Sequence, residues 1–128
     1  MDKHNLMALN RDNGACLILR KMGTTLGYEC DITNNITDTL RAAHNKTYRI
    51  VLIGCSKYDR ECWVALEAIK MLHRDRPCPL FIGIIPYPDE ELRRRCESTG
   101  MAAVLAGPVF KAELAACLER VLSDDVRV

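Results

Sequence analysis

Short runs of apolar residues alternate along this chain with stretches in which apolar residues recur every three or four positions. The central run spans residues 48–55, and it contains four consecutive large aliphatic residues from Ile50 to Ile53 before Gly54 and Cys55. An unbroken β-branched run of this length is typical of a strand buried on both faces, as in a parallel sheet. Ligands of open parallel sheets bind beyond the carboxyl ends of the strands. We therefore expect any chemistry of this protein at Gly54, at Cys55 and at the neighbouring strand ends.

The same pattern predicts five strands and five helices in alternation. The strands are predicted at residues 5–9, 28–32, 48–55, 80–85 and 101–105. The helices are predicted within residues 15–26, 35–45, 60–73, 88–99 and 110–122. Strands and helices that alternate across short loops indicate a single doubly wound α/β domain with right-handed crossovers. We expect its core to span residues 5–122 of 1–128, followed by a frayed tail at residues 123–128.

Capping signals define the predicted helix boundaries. Asp12 or Asn13 is suited to cap the first helix, and Thr33 or Asn34 the second. Pro88 is suited to the first turn of the fourth helix. The third helix is expected to bury four residues on one face: Cys62, Leu66, Ile69 and Leu72.

The composition of the chain argues against several classes of function. A formal net charge of +1 offers no electrostatic reason to expect a nucleic acid or an anionic membrane as partner. No apolar run approaches the length of a membrane span, and residues 1–5 lack the apolar core of a signal peptide. The seven cysteines form no Cys-x-x-Cys motif and no zinc-like spacing. We interpret them as small core residues of a cytoplasmic protein that needs no cofactor.

A resemblance to a known family rests on three groups of residues: 17–22 with 26–28, 48–55, and 100–101 with 104–105 and 108–109. Their sequences and spacing resemble the receiver domains of two-component response regulators, above all the receivers of hybrid histidine kinases. The resemblance covers residues 5–122. It implies a flavodoxin-like α/β fold, with a five-stranded parallel sheet in the order 2-1-3-4-5 and five helices.

The resemblance also implies where a phosphorylation site would lie. Receivers accept a phosphoryl group on an aspartate that ends strand three, beside acidic residues that hold Mg²⁺, a hydroxyl residue on strand four and a lysine on strand five. Each of these residue types has a chemical role, as nucleophile, metal ligand or cation. The matching positions in this sequence are Asn10, Arg11, Gly54, Ile84 and Gly107. The resemblance therefore implies a pseudo-receiver that catalyses no reaction and holds no metal.

Our first hypothesis is a signalling module that acts by protein–protein interaction. Receivers usually contact partners through helix four, strand five and helix five, and the candidate residues of that face are Glu91, Arg94, Val104 and Lys111. The implied partner is a histidine kinase, another signalling domain or a second copy of the chain.

The alternative hypothesis is a sensor of a small anion or nucleotide. Four residues of the loops at the carboxyl edge, Arg11, Lys57, Tyr58 and Arg60, could bind such a ligand by charge-assisted hydrogen bonds and stacking. A solvated charged rim would have the same composition. Two further possibilities are a displaced metal site at Asp12, Asp59 and Glu61 and a reactive thiol at Cys55, although capping, solvation and packing explain these residues more simply.

Overall fold

The computed structural model describes residues 5–75 and 77–125. Strands and helices alternate through this part of the chain. The strands are β1 (Asn5–Leu9), β2 (Glu29–Thr33), β3 (Ile50–Gly54), β4 (Leu80–Ile85) and β5 (Ala103–Ala106). The helices are α1 (Asn13–Thr25), α2 (Ile36–Asn45), α3 (Glu61–Leu72), α4 (Glu90–Ser98) and α5 (Lys111–Asp124).

The five strands form one parallel sheet in the order β2-β1-β3-β4-β5, which confirms the predicted fold. Residues 50–53 of the central strand β3 are fully buried because helices cover both faces of the sheet. Ile50 and Leu52 pack in a cluster with residues of α1 and α5. Val51 and Ile53 point the other way, into a cluster with residues of α2, α3 and α4. This period-two alternation buries residues 50–53 between the two helix layers and leaves Gly54, at the end of β3, partly exposed.

The helix caps are partly as predicted. Asp12 caps α1, with its Oδ1 accepting from Gly14 N at 2.8 Å. The prediction of Thr33 or Asn34 as the cap of α2 is wrong, because Asn35 accepts from the Asp38 amide. Thr33 remains the last residue of β2.

The third and fourth helices also differ in detail from the prediction. Leu72 is 36% exposed and was wrongly assigned to the buried face, whereas the next residue, His73, is only 4% exposed. Pro88 precedes α4 instead of starting it, since Asp89 is the N-cap and accepts from Leu92 N at 3.1 Å.

The last helix is longer than expected. It continues to Asp124, so Ser123 and Asp124 belong to α5 and not to a frayed tail. Residues 126–128 of the predicted tail lie outside the described residues. Within the described part of the chain, no helix combines the length and the apolar character that a membrane span requires.

Candidate functional site

A cleft of about 540 Å³ opens at the carboxyl ends of β1, β3 and β4. Its lining residues come from these strand ends, the loops that follow them and the start of α1. They are Asn10, Arg11, Asp12, Ala15, Gly54, Cys55, Ser56, Tyr58, Asp59, Ile84, Ile85 and Pro86. The cleft thus brings together four of the five positions that the receiver resemblance assigned to phosphorylation.

The floor of the cleft is formed by Asn10 and Gly54. A Cβ atom placed on Gly54 would lie 2.5 Å from Asn10 Nδ2, closer than non-bonded atoms approach. The Asn10 amide is held there because its Oδ1 accepts from Asp12 N at 2.9 Å. The Asn10 amide therefore occupies the space into which a side chain at position 54 would project.

The residues at the metal-binding positions do not fit Mg²⁺. Arg11 replaces a carboxylate, and its Nη1 lies 3.5 Å from Asp59 Oδ1. Asp59 Oδ1 also accepts from Glu61 N at 2.9 Å, and Asp12 caps α1. Hard divalent cations require several free oxygen ligands. Among the described residues, no group of His, Cys, Asp and Glu could hold a metal ion. The alternative of a displaced site at Asp12, Asp59 and Glu61 therefore finds no support.

The ends of β4 and β5 carry neither a hydroxyl nor a lysine side chain at the positions that the resemblance assigned to them. Ile84 pairs with Gly54 in the sheet and packs against the α1–α5 cluster, with no hydroxyl to offer. Gly107 N donates to Ile85 O at 2.7 Å. A Cβ at Gly107 would lie 2.9 Å from Pro86 O, a backbone atom, so a lysine there does not fit this backbone.

The predicted ligand edge is only partly assembled. Arg11 and Tyr58 line the cleft, and the Tyr58 ring is 92% exposed. Lys57 turns away, with its Nζ 3.0 Å from Asp89 Oδ2. This pairing raises the pKa of Lys57, while the Leu92 amide and then Lys57 lower that of Asp89. Arg60 is exposed at the N-cap of α3 and does not line the cleft.

The three lining residues with full charges are Arg11, Asp12 and Asp59, which sum to about −1. Arg11 is already paired with Asp59. A surface with this balance favours a neutral or cationic group over an anion. The electrostatics therefore weaken the anion hypothesis.

Cys55 follows Gly54 and is only 2% exposed. Its thiol donates to the Ile53 carbonyl at 3.5 Å. The nearby Cys62 and Cys96 thiols, together with burial, raise the pKa of Cys55. A thiol with a raised pKa is a poor nucleophile at neutral pH. The structure thus places Cys55 in the core, as the interpretation of the cysteines expects.

The predicted interaction face is exposed on its two helices and buried on its strand. Glu91, Arg94 and Lys111 are all exposed, with Arg94 Nε 3.7 Å from Glu90 Oε1. Val104 is 8% exposed and packs in the core. The main-chain carbonyl of Val104 accepts from Arg93 Nη1 at 3.3 Å.

A groove of about 530 Å³ runs between α4 and α5 across β5. Its charged lining residues are Arg93, Glu97 and Arg120. None of the three is among the four candidate residues of the face, because the charge pattern of an isolated helix does not show which charges face the neighbouring helix. The contact of Asn10 with Gly54 was missed for a similar reason, since it joins two strands far apart in sequence.

Sequence comparison finds no counterpart: the chain matches no protein-family profile and no curated protein. The fold matches many solved structures. A CheY-like response regulator receiver domain from Methanospirillum hungatei JF-1 is 19% identical over 96% of each chain, with a TM-score of 0.78. A response regulator from Thermotoga maritima is 12% identical over 96% of this chain and 100% of its own, with a TM-score of 0.81.

A further match carries a metal in its cleft. The receiver domain of a sensor histidine kinase from Pseudomonas aeruginosa PAO1, solved with a magnesium ion coordinated in the active-site cleft, is 19% identical. The match covers 96% of this chain and 100% of that domain, with a TM-score of 0.79. The chain therefore has the fold of CheY-like receiver domains, as the resemblance implied.

Proposed function

We propose that this chain is a non-catalytic pseudo-receiver of two-component signalling that acts in the cytoplasm by protein–protein contact. One observation carries the proposal: Asn10 fills the space beside Gly54 in which a phosphoacceptor side chain would lie. Position 54 offers no carboxylate nucleophile, and the two carboxylates that line the cleft are already engaged, Asp12 as the cap of α1 and Asp59 with Arg11. What remains of a receiver is its fold and its surface.

The surface best suited to a partner is the face formed by α4, β5 and α5. In receivers that signal by phosphorylation, a hydroxyl on strand four and an aromatic residue on strand five transmit the change to this face. Ile84 and Val104 replace them here as packed apolar residues. The face is therefore a single preformed surface that a partner binds with little backbone movement.

The partner is a histidine kinase, another signalling domain or a second copy of the chain. Both helices of the face carry positive and negative charges, for example Glu91 and Arg94 on α4. Mixed charges suit an isologous contact in which each residue meets an opposite charge on the other copy. Such a contact is sensitive to salt.

Association measurements test this function. The wild-type chain is sedimented at increasing concentration, alone and mixed with a candidate histidine kinase. We expect Arg94→Glu or Glu91→Arg to weaken association by about 1 kcal/mol, and by less at high salt. The control is Arg11→Glu combined with Lys57→Glu, which alters the cleft edge and should leave association unchanged. If only the control variant loses association, the contact lies at the cleft edge and the α4–β5–α5 face is not the binding surface.

A further inference from the structure

The sheet has an open edge at β5. This strand lies at the end of the order β2-β1-β3-β4-β5 and pairs with β4 on one side only. The Ala102 amide donates to the Phe81 carbonyl of β4 at 2.8 Å. Because the main-chain groups of successive strand residues point to opposite sides, those of Ala103 and Leu105 face the open edge. Each of these residues offers one N–H donor and one C=O acceptor there, spaced as a further strand requires.

The open edge lies in the groove of about 530 Å³ between α4 and α5. Helix α4 supplies Arg93 and Glu97 to one wall, and α5 supplies Arg120 to the other. None of the three forms an ion pair with another residue of the described part of the chain. Two arginines and one glutamate give the groove a net positive charge. The groove therefore favours a negatively charged occupant.

The two walls set the side-chain pattern of an occupant. An extended segment beside β5 would direct successive side chains alternately towards the two helices. One side chain would face the α4 wall with Arg93, and the next would face the α5 wall with Arg120. Acidic residues at two successive positions would each meet a guanidinium, which binds a carboxylate through paired hydrogen bonds. A helix could not pair with the edge, because its own main-chain groups are bonded to one another.

We propose that β5 is the docking strand for a partner protein: an extended segment with two successive acidic residues adds to the sheet as a sixth strand. In strand addition the main-chain hydrogen bonds supply affinity, and the side chains on either side supply specificity. That the partner is a signalling protein rests on the proposed function. The docking itself depends only on the edge and the charges of the groove.

The probe is the synthetic peptide acetyl-Thr-Val-Asp-Glu-Val-Thr-amide, titrated into the full chain and followed by amide hydrogen exchange. We expect saturable binding, with exchange slowed about tenfold or more at Ala103 and Leu105. The Val104 amide faces β4, so its exchange should change least. A peptide with two lysines in place of Asp-Glu should bind more than about tenfold more weakly. No binding of the acidic peptide, or equal binding of the lysine peptide, would overturn the proposal.

Two N-methylated versions of the acidic peptide separate strand addition from simple charge attraction. Each carries a methyl group on every second amide nitrogen. In one version the lost donors face β5, and in the other they face solvent. We expect the first version to lose binding and the second to keep it. If the two versions bind equally, the main chain of the peptide does not pair with β5 and the sixth strand is wrong.

Variants of the chain place the peptide in the groove. Arg120→Ala should weaken peptide binding about tenfold, through the loss of one charge-assisted contact. Arg94→Ala is the matched control, because Arg94 is exposed on α4 and does not line the groove. Equal effects of the two variants would overturn the placement. Exchange at Ala103 that slows with rising protein concentration, without peptide, would identify a second copy as the occupant and overturn the assignment to a partner.

The peptide titration reports on the groove separately from the proposed function. If the peptide binds as described while the chain fails to associate with a histidine kinase or another signalling domain, the proposed function is wrong and strand addition stands. If the chain associates with such a partner while the peptide fails to bind, strand addition is wrong and the proposed function stands.

Discussion

Asn10 and Gly54 share one space at the carboxyl edge of the sheet: a Cβ on Gly54 would lie 2.5 Å from Asn10 Nδ2. The contact joins the end of β1 to the end of β3. It follows that the two residues are matched, since position 54 accepts no side chain while Asn10 keeps this conformation. Restoring a phosphoacceptor therefore takes more than an aspartate at position 54, because Asn10, Arg11 and Gly107 must also change.

The matched pair can be tested by a double-mutant cycle. We expect Gly54→Ala to lower the free energy of unfolding by about 1–3 kcal/mol, the usual effect of overpacking. Asn10→Ala should remove most of that penalty, with a coupling of about 0.5–3 kcal/mol. Urea unfolding of the wild-type chain, the two single variants and the double variant gives the value. Strict additivity of the two substitutions would contradict the shared space.

Alanine substitutions at two other glycines should change the stability in opposite directions. A Cβ on Gly107 would lie 2.9 Å from the Pro86 carbonyl oxygen, which is backbone and cannot easily move. A Cβ on Gly23, inside α1, would meet its nearest atom at 3.5 Å, an ordinary contact. We expect Gly107→Ala to destabilise by about 1–3 kcal/mol, and Gly23→Ala to stabilise by about 0.5–1 kcal/mol, as alanine does in helices. Thermal unfolding of both variants measures the difference, and equal signs would contradict it.

Much of this fold is predictable because its strands are buried on both faces. The run from Ile50 to Ile53 can satisfy both helix layers only as a central strand, and the glycines after α1 and α4 end those helices with positive φ angles. The helix boundaries are less certain. Thr33, Asn34 and Asn35 are three successive residues able to cap α2, and only tertiary structure keeps Thr33 in β2.

The burial of Leu72 was predicted wrongly for a different reason. At about 100° per residue, position 73 continues the face of Cys62, Leu66 and Ile69, while position 72 lies to one side. Because histidine is polar, we assigned Leu72 to the buried face of α3. The helix geometry instead places His73 on that face, and His73 is buried. The candidate site was predictable as a set of missing residue types. The packing that replaces them, Asn10 beside Gly54, was not, because this contact depends on where distant segments meet.

Protonation of Asp31 should lower the stability of the folded chain in acid. Its Oδ2 accepts from the Tyr48 hydroxyl at 2.6 Å and from Lys46 Nζ at 3.1 Å. Partial burial acts to raise the pKa of Asp31, but these hydrogen bonds outweigh it and hold the pKa below the ordinary value of 3.8. A carboxylate with a lowered folded pKa stabilises the protein at higher pH, and the contribution is lost as the pH falls through that pKa.

Tyr48→Phe removes one of the donors to Asp31 and should make unfolding less dependent on pH. Asp31→Asn should remove this contribution altogether. Urea unfolding at neutral pH and near pH 3 measures the loss for each protein. If the two variants lose as much stability in acid as the wild-type chain, the acid dependence arises elsewhere.

Trp63 on α3 and Arg95 on α4 form a cation–π contact, with the guanidinium carbon 4.1 Å from the ring centre. We expect Arg95→Ala to destabilise by about 0.5–1 kcal/mol. Because the chain has one tryptophan, its fluorescence should also change. Arg94→Ala is the matched control: Arg94 makes only a long, exposed ion pair with Glu90, so its removal should be close to neutral. Equal effects of the two substitutions would show that the ring contact contributes nothing.

We predict that the cleft of this receiver fold accepts no phosphoryl group. Intact-mass measurement after incubation with acetyl phosphate and Mg²⁺ tests it directly, beside a receiver domain that retains its aspartate and is phosphorylated under the same conditions. We predict an unchanged mass for the wild-type chain and also for Gly54→Asp, because Asn10, Arg11 and Gly107 remain. A single phosphoryl adduct on the wild-type chain, absent without acetyl phosphate, would contradict the account.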